Sequence, residues 1–236
     1  MMIEGQMKNF SKWFVYEPGV MEYNAFHRFQ ERLVKARQND RLAYDCLILL
    51  EHLPVFTLGR RGRGENLLVD EDFLVTRNIG IVSTRRGGEI TFHAPGQLMG
   101  YLLVDLRSND LTIERFLYMI EDVLIRVAGD FRVECRRDPK NRGVWVGAAK
   151  LASIGIAVSR GIAFHGFALN ANNDLRPFGW INPCGLKGVS MTSLFNEIKI
   201  PIDMEMLRIS VKKHVSSIFN AELTALPGIS PDFLQF

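Results

Sequence analysis

Three consecutive strand-length segments constrain the fold of this chain most strongly. Residues 143–146, 151–158 and 162–169 are each rich in apolar and β-branched side chains. Arg160-Gly161, between the second and third segments, is typical of a tight hairpin turn. This region therefore predicts part of a β-sheet that contains at least one hairpin.

Long amphipathic helices are predicted before and after these strands. Residues 21–38 and 204–219 carry apolar side chains at helical spacing, and Thr112 is a typical N-cap for a third helix that continues to about Ala128. We expect Gly129 to end this third helix. Its predicted core stripe consists of Ile113, Phe116, Leu117, Ile120, Leu124 and Val127. Strands mixed with long helices predict an α/β (α+β) fold with a mixed β-sheet and packed helices.

The length and composition predict one domain. The chain has 236 residues and no Pro/Gly/Ser-rich linker, so residues 11–236 are expected to form a single domain after an N-terminal extension of residues 1–10. No apolar run reaches the ~18 residues that a membrane span needs, and the N-terminus lacks the pattern of a secretory signal or transit peptide. The three cysteines are too few for a disulfide framework. A reducing, cytoplasmic location and no membrane partner are therefore expected.

The net charge of +3, from 29 basic and 26 acidic residues, is too small to indicate a nucleic-acid-binding protein. Basic residues nevertheless cluster in residues 60–63, in Arg85-Arg86, and in residues 136–142. These clusters are either solvated loops or a docking surface for an acidic partner. Charge reversal of Arg136 and Arg137 would be the first test of such docking.

Residues 85–97 are dense in residues with special backbone or chemical properties. The pair Gly87-Gly88 lets the backbone approach a ligand closely or adopt a positive φ, and a flanking arginine supplies an anion-binding fork. The segment also contains His93 and the turn Pro95-Gly96. It indicates a ligand-binding loop, whereas a hairpin turn followed by a Pro-Gly turn is the alternative.

Lys150 stands at the start of a stretch of small and apolar residues. On a strand it shares a face with Ala152 and Ile154. Burial among such neighbours disfavours the charged form of a lysine and allows the residue to act as a general base. The alternative is a strand-end lysine whose ammonium group reaches water.

Cys184 is the cysteine with a catalytic context. It lies in a Pro-Cys-Gly turn, and a loop presents a sulfur atom as a nucleophile requires. Backbone N–H groups beside Gly185 are accessible to an oxyanion. Cys46 lies in an apolar strand and Cys135 in a basic stretch. Cys184 is therefore either the nucleophile or a free thiol without a role.

Residues 163–170 have the composition of a pocket wall. His165 and Asn170 are expected to form the polar tips of a pocket. Gly166 and Ala168 have the strand parity opposite to that of His165, which leaves room for an alkyl chain on their side of the strand. Alternatively, these residues form the packed core of a hairpin and line no pocket.

Together these motifs resemble those of the octanoyltransferases, also called lipoyl(octanoyl) transferases or lipoate-protein ligase B. The resemblance covers residues 45 to 195 and departs from the usual family pattern at Phe92, where Tyr or Trp is common, and at Ala94, where Gly is common. The matching motifs, in chain order, are His52-x-Pro54-Val55-Phe56-Thr57, Arg86-Gly87-Gly88-x-x-Thr91-x-His93-x-Pro95-Gly96-Gln97, Gly143-Val144-Trp145-Val146-Gly147, Lys150-x-x-Ser153-x-Gly155, His165-Gly166-x-Ala168-Leu169-Asn170 and Ile181-x-Pro183-Cys184-Gly185.

The resemblance implies a fold shared with the catalytic domains of biotin and lipoate ligases. It implies that an octanoyl (or lipoyl) group moves from acyl carrier protein to a specific lysine of lipoyl domains, those of 2-oxoacid dehydrogenases and of the glycine cleavage H protein. Cys184 would carry the acyl group as a thioester, Lys150 would favour the thiolate, and neither ATP nor a metal would be needed. The residues implied to bind the acyl group are Arg86, Gly87, Gly88, Glu89, Ile90, Thr91, Phe92, His93, Ser153, Ile154, Gly155, Gly166, Phe167 and Ala168.

Four other functions fit parts of the pattern. An ATP-dependent lipoate- or biotin-protein ligase shares the Arg-Gly-Gly loop but does not need the Pro-Cys-Gly cysteine. An amidotransferase that moves lipoyl groups between carrier domains would use the same cysteine and lysine. A non-catalytic carrier-binding module would have no reason to keep both residues. A cysteine hydrolase would use His165 as its base.

Overall fold

The computed structural model describes residues 11–62, 64–139, 141–183 and 188–225. Within these ranges the chain forms twelve β-strands in two sheets. The strands are β1 (Ser11–Met21), β2 (Asp45–His52), β3 (Val55–Leu58), β4 (Gly80–Ser83), β5 (Ile90–His93), β6 (Gln97–Asp105), β7 (Arg136–Arg137), β8 (Val144–Val146), β9 (Ala149–Ser159), β10 (Ile162–Asn170), β11 (Ser190–Met191) and β12 (Ala221–Ala225).

Helices connect the strands and cover the sheets. The α-helices are α1 (Tyr23–Gln38), α2 (Glu71–Val75), α3 (Ile113–Asp130), α4 (Leu194–Ile198) and α5 (Met204–Phe219), and Arg176–Trp180 forms a 3-10 helix. Within the described ranges, no helix has both the length and the apolar character that crossing a bilayer requires.

The two sheets have mixed strand directions. The larger sheet has nine strands in the order β12-β1-β2-β6-β10-β9-β8-β7, with β11 paired to β9 beside this path. β1 is parallel to β2 and β12, whereas the strands from β2 to β7 along this order pair antiparallel. The smaller sheet has the order β4-β3-β5. The predicted single-domain α/β fold with a mixed sheet and packed helices is confirmed.

Both faces of the larger sheet are buried. α3 and α5 pack on one face and α1 packs on the other. In β2, Leu47 and Leu49 point toward α3 and α5, while Ile48 and Leu50 point toward α1. Since neither face meets water, β2 forms a continuous apolar run in the sequence. The smaller sheet has a separate core that includes Phe56.

Two strands of the larger sheet, β1 and β6, were not predicted from the sequence. β1 contains Pro18-Gly19, and its register against β2 shifts between Tyr16 and Gly19. β6 is buried throughout and contains Gly100, where a Cβ atom would lie 2.1 Å from the ring of Phe167. Pro and Gly usually interrupt strands, and here each marks a bulge or a close packing contact instead.

The boundaries of α3 match the prediction at one end only. Thr112 caps the helix as predicted, since its hydroxyl accepts a hydrogen bond from the Arg115 N–H at 3.1 Å. Gly129, which was predicted to end the helix, is instead inside its last turn, because α3 ends at Asp130 with Phe131 as its C-cap, and the following Arg132 has a φ of 61°. Ile113, predicted in the core stripe, is 50% exposed. Its position in the first turn precedes the point where α3 meets the sheet.

We predict that Gly129→Ala raises the free energy of unfolding by about 0.5–1 kcal/mol, because Gly129 is helical and alanine is the better helix former. No atom outside the helix's own backbone lies within 4 Å of the Cβ that this change adds. Urea denaturation measures the difference. Gly161→Ala is the opposite control, since Gly161 has a φ of 86° and its Cβ would lie 2.4 Å from Arg107 Nε. Destabilisation by Gly129→Ala would contradict the assigned helix end.

Candidate active site

A cavity of about 60 Å³ lies where the smaller sheet meets the larger one. Every residue predicted to bind the acyl group lines it, with the exception of Phe92. His165, which was expected to be a polar tip of the pocket, also lines the cavity, together with three residues that were not predicted: Tyr23, Met99 and Tyr101. The fold therefore brings three separate sequence motifs to one place.

Phe92 does not line the cavity. It lies in the core of the smaller sheet, where its ring centroid is 4.9 Å from that of Phe56 and 5.9 Å from that of Phe178. The expectation that it lines the cavity is therefore not met, because its ring is packed within the core of the smaller sheet. Ala94 is buried and has no positive φ, so its methyl group causes no backbone strain.

The glycine-rich loop is held in place by Arg86. Its guanidinium donates to the hydroxyl and carbonyl of Thr57 and to the carbonyls of Gly87 and Glu89. The loop also docks on β9, where the Gly87 N–H donates to the Ile156 carbonyl at 2.8 Å. Gly88 has a φ of 91°, as expected for this loop. The anion-binding role expected of a flanking arginine does not fit Arg86, because its guanidinium group already donates to backbone carbonyl oxygens and to the Thr57 hydroxyl.

A chain of buried hydrogen bonds starts at the same threonine. Thr57 Oγ1 is 3.1 Å from His93 Nε2, and His93 Nδ1 is 2.8 Å from Gln97 Oε1. Gln97 Nε2 donates to Asn170 Oδ1 at 2.8 Å. Since Gln97 offers an oxygen to the ring, His93 carries its proton on Nδ1 and accepts from the Thr57 hydroxyl. His93 thus connects the smaller sheet to β10 and has no nitrogen left for a substrate.

The same chain reaches the strand that carries Lys150. Asn170 Nδ2 donates to the Thr192 carbonyl at 2.9 Å, and the Thr192 N–H donates to the Lys150 carbonyl at 3.0 Å. Asn170 was expected to be a polar tip of the pocket. It is instead a buried connector that does not line the cavity.

Lys150 is buried at the start of β9. Only 2% of its surface is exposed, and its Nζ lies 5.2 Å from the centre of the Trp145 ring. Gly143 makes this burial possible, because a Cβ there would lie 2.7 Å from Lys150 Cε. Lys150 borders a groove that shares Gly87, Gly88, Ile154 and Gly155 with the acyl cavity. The buried lysine predicted from the sequence is therefore found, in a groove next to the cavity.

Cys184 lies outside the described residues. The chain is described up to Pro183 and again from Gly188. Before this segment, the Asn182 N–H donates to the Asn66 carbonyl at 2.8 Å. After it, Ser190 and Met191 pair with Ala149 and Lys150.

His165 is on the face that the sequence did not predict. Its ring lies 6.0 Å from that of His27 in α1 and 5.0 Å from that of its neighbour Phe164. It therefore shares a face with Ala168, which belongs to the core under α1. The expectation that His165 has the opposite parity is wrong, because a φ of 61° at His165 interrupts the alternation of the strand.

Three histidines around the cavity are buried and neutral. Burial lowers the pKa of His52 to about 4 and the pKa values of His93 and His165 to about 3. His52 is also hydrogen-bonded, with its Nδ1 3.0 Å from the Met21 carbonyl and its Nε2 2.7 Å from the Tyr101 hydroxyl. Within the described ranges, no group of three His, Cys, Asp or Glu side chains is arranged to hold a metal ion.

We predict that the protein loses stability as the pH falls from 7 toward 5. An unfolded histidine has a pKa of about 6.5, so the unfolded chain binds protons that the folded His52, His93 and His165 exclude. The stability from these groups is complete above about pH 6.5 and decreases by up to about 1.4 kcal/mol per pH unit for each histidine. Urea denaturation at several pH values measures the slope. His165→Asn should lower this slope by the contribution of one histidine. An unfolding free energy that does not change with pH would contradict the burial of neutral histidine rings.

Comparison with known proteins agrees with this architecture. Residues 22–216 match the family described as the lipoyl protein ligase A/B catalytic domain. Similar solved structures include a lipoate-protein ligase A with bound ATP, at a TM-score of 0.75, 12% identity and coverage of 96% of this chain and 92% of the other. A bi-partite lipoate protein ligase from Thermoplasma acidophilum has a TM-score of 0.74 at 13% identity, with coverage of 95% and 90%. At such identity the structures show a shared fold, which is that of the lipoyl protein ligase class.

Sequence relatives narrow the class. The chain is 43% identical to an octanoyltransferase of Desulfotalea psychrophila over 87% of this chain and 91% of the relative. It is 42% identical to an octanoyltransferase of Caldicellulosiruptor bescii over 88% and 92%. The chain belongs to the octanoyltransferase family, and its activity is that of an acyltransferase in lipoate biosynthesis. The resemblance seen in the sequence motifs is confirmed.

Proposed function

We propose that the octanoyl group comes from octanoyl-acyl carrier protein and passes through a thioester on Cys184 to a lysine of a lipoyl domain. The acceptors are the lipoyl domains of 2-oxoacid dehydrogenases and the glycine cleavage H protein. The observation that carries this proposal is the burial of Lys150 in a groove continuous with the acyl cavity. An ammonium or amine held there can exchange a proton with a reacting group at the end of the acyl chain.

In the first half-reaction, the Cys184 thiolate attacks the carbonyl carbon of the donor thioester. A free thiol is only a few per cent ionised at neutral pH, and a nearby lysine ammonium favours the thiolate. A new S–C bond forms, the bond to the carrier sulfur breaks, and the carrier thiolate takes a proton from Lys150. The acyl group then occupies the cavity, and Lys150 is left neutral.

In the second half-reaction, the acceptor lysine must be neutral before it can attack. Lys150, having lost its proton, accepts one from the acceptor ammonium. The acceptor nitrogen bonds to the acyl carbon and the bond to Cys184 breaks. The second proton that the nitrogen loses goes to the Cys184 sulfur, and this thiol then releases it to solvent, so that the starting thiolate and the Lys150 ammonium are restored. One buried lysine thus serves both half-reactions of a ping-pong cycle.

The thioester donor makes other reagents unnecessary. The acyl group arrives already activated, so we propose that transfer needs neither ATP nor a metal. A nucleophilic thiol persists in a reducing compartment, and we propose the cytoplasm as the site of the reaction.

Intact-mass analysis tests the acyl-enzyme directly. We predict that mixing the protein with octanoyl-acyl carrier protein, without ATP, adds the mass of one octanoyl group, which an apo-lipoyl domain then removes. Cys184→Ala should form no adduct, and Lys150→Ala should lower the rate of transfer by at least about 10²-fold, the scale of one lost acid–base group.

Cys135→Ala is the matched control, because Cys135 is a free cysteine whose thiol pKa burial raises to about 12. It should acylate at the normal rate. Transfer only with free fatty acid and ATP would instead show the ligase activity. Loss of transfer in His165→Ala, with Lys150→Ala still active, would favour the cysteine hydrolase type of site.

The basic residues that were expected to dock an acidic partner differ in their contacts. Arg137 is half-buried and pairs with Glu121 and Asp122, so it is committed to the fold. Arg61 is exposed and borders the groove that contains Lys150, and Arg60 joins it around the neighbouring hollow. Because carrier domains of this kind are acidic, we propose that Arg60 and Arg61 receive the donor.

We predict that the double change Arg60→Glu and Arg61→Glu raises KM for octanoyl-acyl carrier protein about tenfold or more and leaves kcat within about twofold. Charge reversal at a docking surface weakens encounter without altering the reacting groups. Steady-state transfer assays at low salt measure both constants. Arg32→Glu with Lys35→Glu makes the same charge change on exposed positions of α1. An equal rise in KM for both pairs would remove Arg60 and Arg61 from the docking surface.

A further inference from the structure

His165 is well separated from Lys150 along the sheet, since it pairs with Ile156 of β9, whereas Lys150 is near the start of that strand. The residues shared with the Lys150 groove are Gly87, Gly88, Ile154 and Gly155. His165 and Tyr101 line the cavity but not that groove. An acyl group whose carbonyl reacts beside Lys150 therefore extends its methyl end toward the ring of His165.

Aromatic rings make this end of the cavity stiff. Four rings form a row in the order His93, Tyr23, His27 and His165. The centroids of successive rings are 6.1, 6.1 and 6.0 Å apart. Their planes differ by 2°, 18° and 14° at the three steps. Tyr23 and His27 belong to α1, so this helix packs against the ring of His165 through His27.

The chain keeps His165 there at a cost. Its φ of 61° is uncommon for a residue other than glycine, and the strand ladder to β6 is interrupted between Ala163 and Gly166. Its Nε2 is buried and has no hydrogen-bond partner among the described residues. Regular alternation would turn the ring to the opposite face and avoid the strain. Two unfavourable features at one cavity residue indicate a functional constraint.

We propose that the ring of His165 is the stop for the methyl end of the acyl chain and thereby sets the longest chain that the enzyme accepts. This inference rests on the proposed use of the cavity for the acyl group. His165 acts here as a specificity-determining residue and takes no part in bond making.

His165→Gly tests the proposal. Glycine accepts the positive φ without strain and removes the whole ring, so the cavity lengthens toward His27 and Phe164. Transfer is measured with octanoyl, decanoyl and dodecanoyl groups on acyl carrier protein. We expect the ratio of kcat/KM for dodecanoyl over octanoyl to rise at least about tenfold, since a pocket discriminates about that much for a methylene that does not fit. His165→Asn, which also tolerates this φ, should shift the ratio in the same direction by less.

Arg160→Gly is the matched control. Arg160 has a φ of 51° in the same hairpin and does not line the cavity, so this change relieves a similar strain and should leave the ratio unchanged. Thermal stabilisation by free octanoic and dodecanoic acid gives a second measurement that does not depend on transfer. We expect dodecanoic acid to raise the Tm of His165→Gly more than that of the unaltered chain.

Each outcome separates the two proposals. An unchanged ratio, or an equal loss for all chain lengths, in His165→Gly and His165→Asn would overturn the role of His165 while octanoyl transfer by the unaltered chain still supports the proposed function. A shifted ratio in Arg160→Gly as well would attribute the effect to backbone strain and also overturn it. Absence of any octanoyl transfer by the unaltered chain would overturn the proposed function and this inference together.

Discussion

The buried hydrogen-bond chain through His93 is the interaction on which the site depends. The two sheets share no strand, yet the cavity is formed where they meet. Thr57 and His93 belong to the smaller sheet, whereas Gln97 and Asn170 belong to the larger one. A neutral imidazole suits this position because it donates with one nitrogen and accepts with the other. Breaking one bond in such a buried chain costs about 1–3 kcal/mol and also loosens the wall of the cavity.

The glycine-rich loop extends the same connection toward the reacting groups. Arg86 donates to the carbonyl oxygens of Gly87 and Glu89 in the loop and to that of Thr57 in β3. The loop then contacts β9 close to Lys150 through the bond from Gly87 to Ile156. Arg86, next to the paired glycines, thus supports the loop from its buried side. The side chains of Arg60 and Arg61, in contrast, are exposed.

Sequence patterns predict the parts of this structure whose signals are local. The hairpin at Arg160, the cap at Thr112 and the full extent of α5 follow from turn chemistry, capping and periodicity. The burial of Lys150 also follows, because small and apolar neighbours surround it in the sequence. β1 and β6 are missed because bulges and tertiary packing allow Pro and Gly inside strands. Tyr23 and Tyr101 carry no local signal of a cavity, since only the packing of α1 against the sheet brings them there.

The backbone at His165 also limits what evolution can do with this position. A φ of 61° is readily adopted by glycine and, among the other residues, mainly by Asn, Asp and His. Aliphatic and β-branched side chains, the usual means of adjusting an apolar cavity, carry a conformational penalty there. Lineages that change the depth of this cavity by single substitutions therefore have a narrow set of residues to choose from, and larger changes require the hairpin itself to be rebuilt.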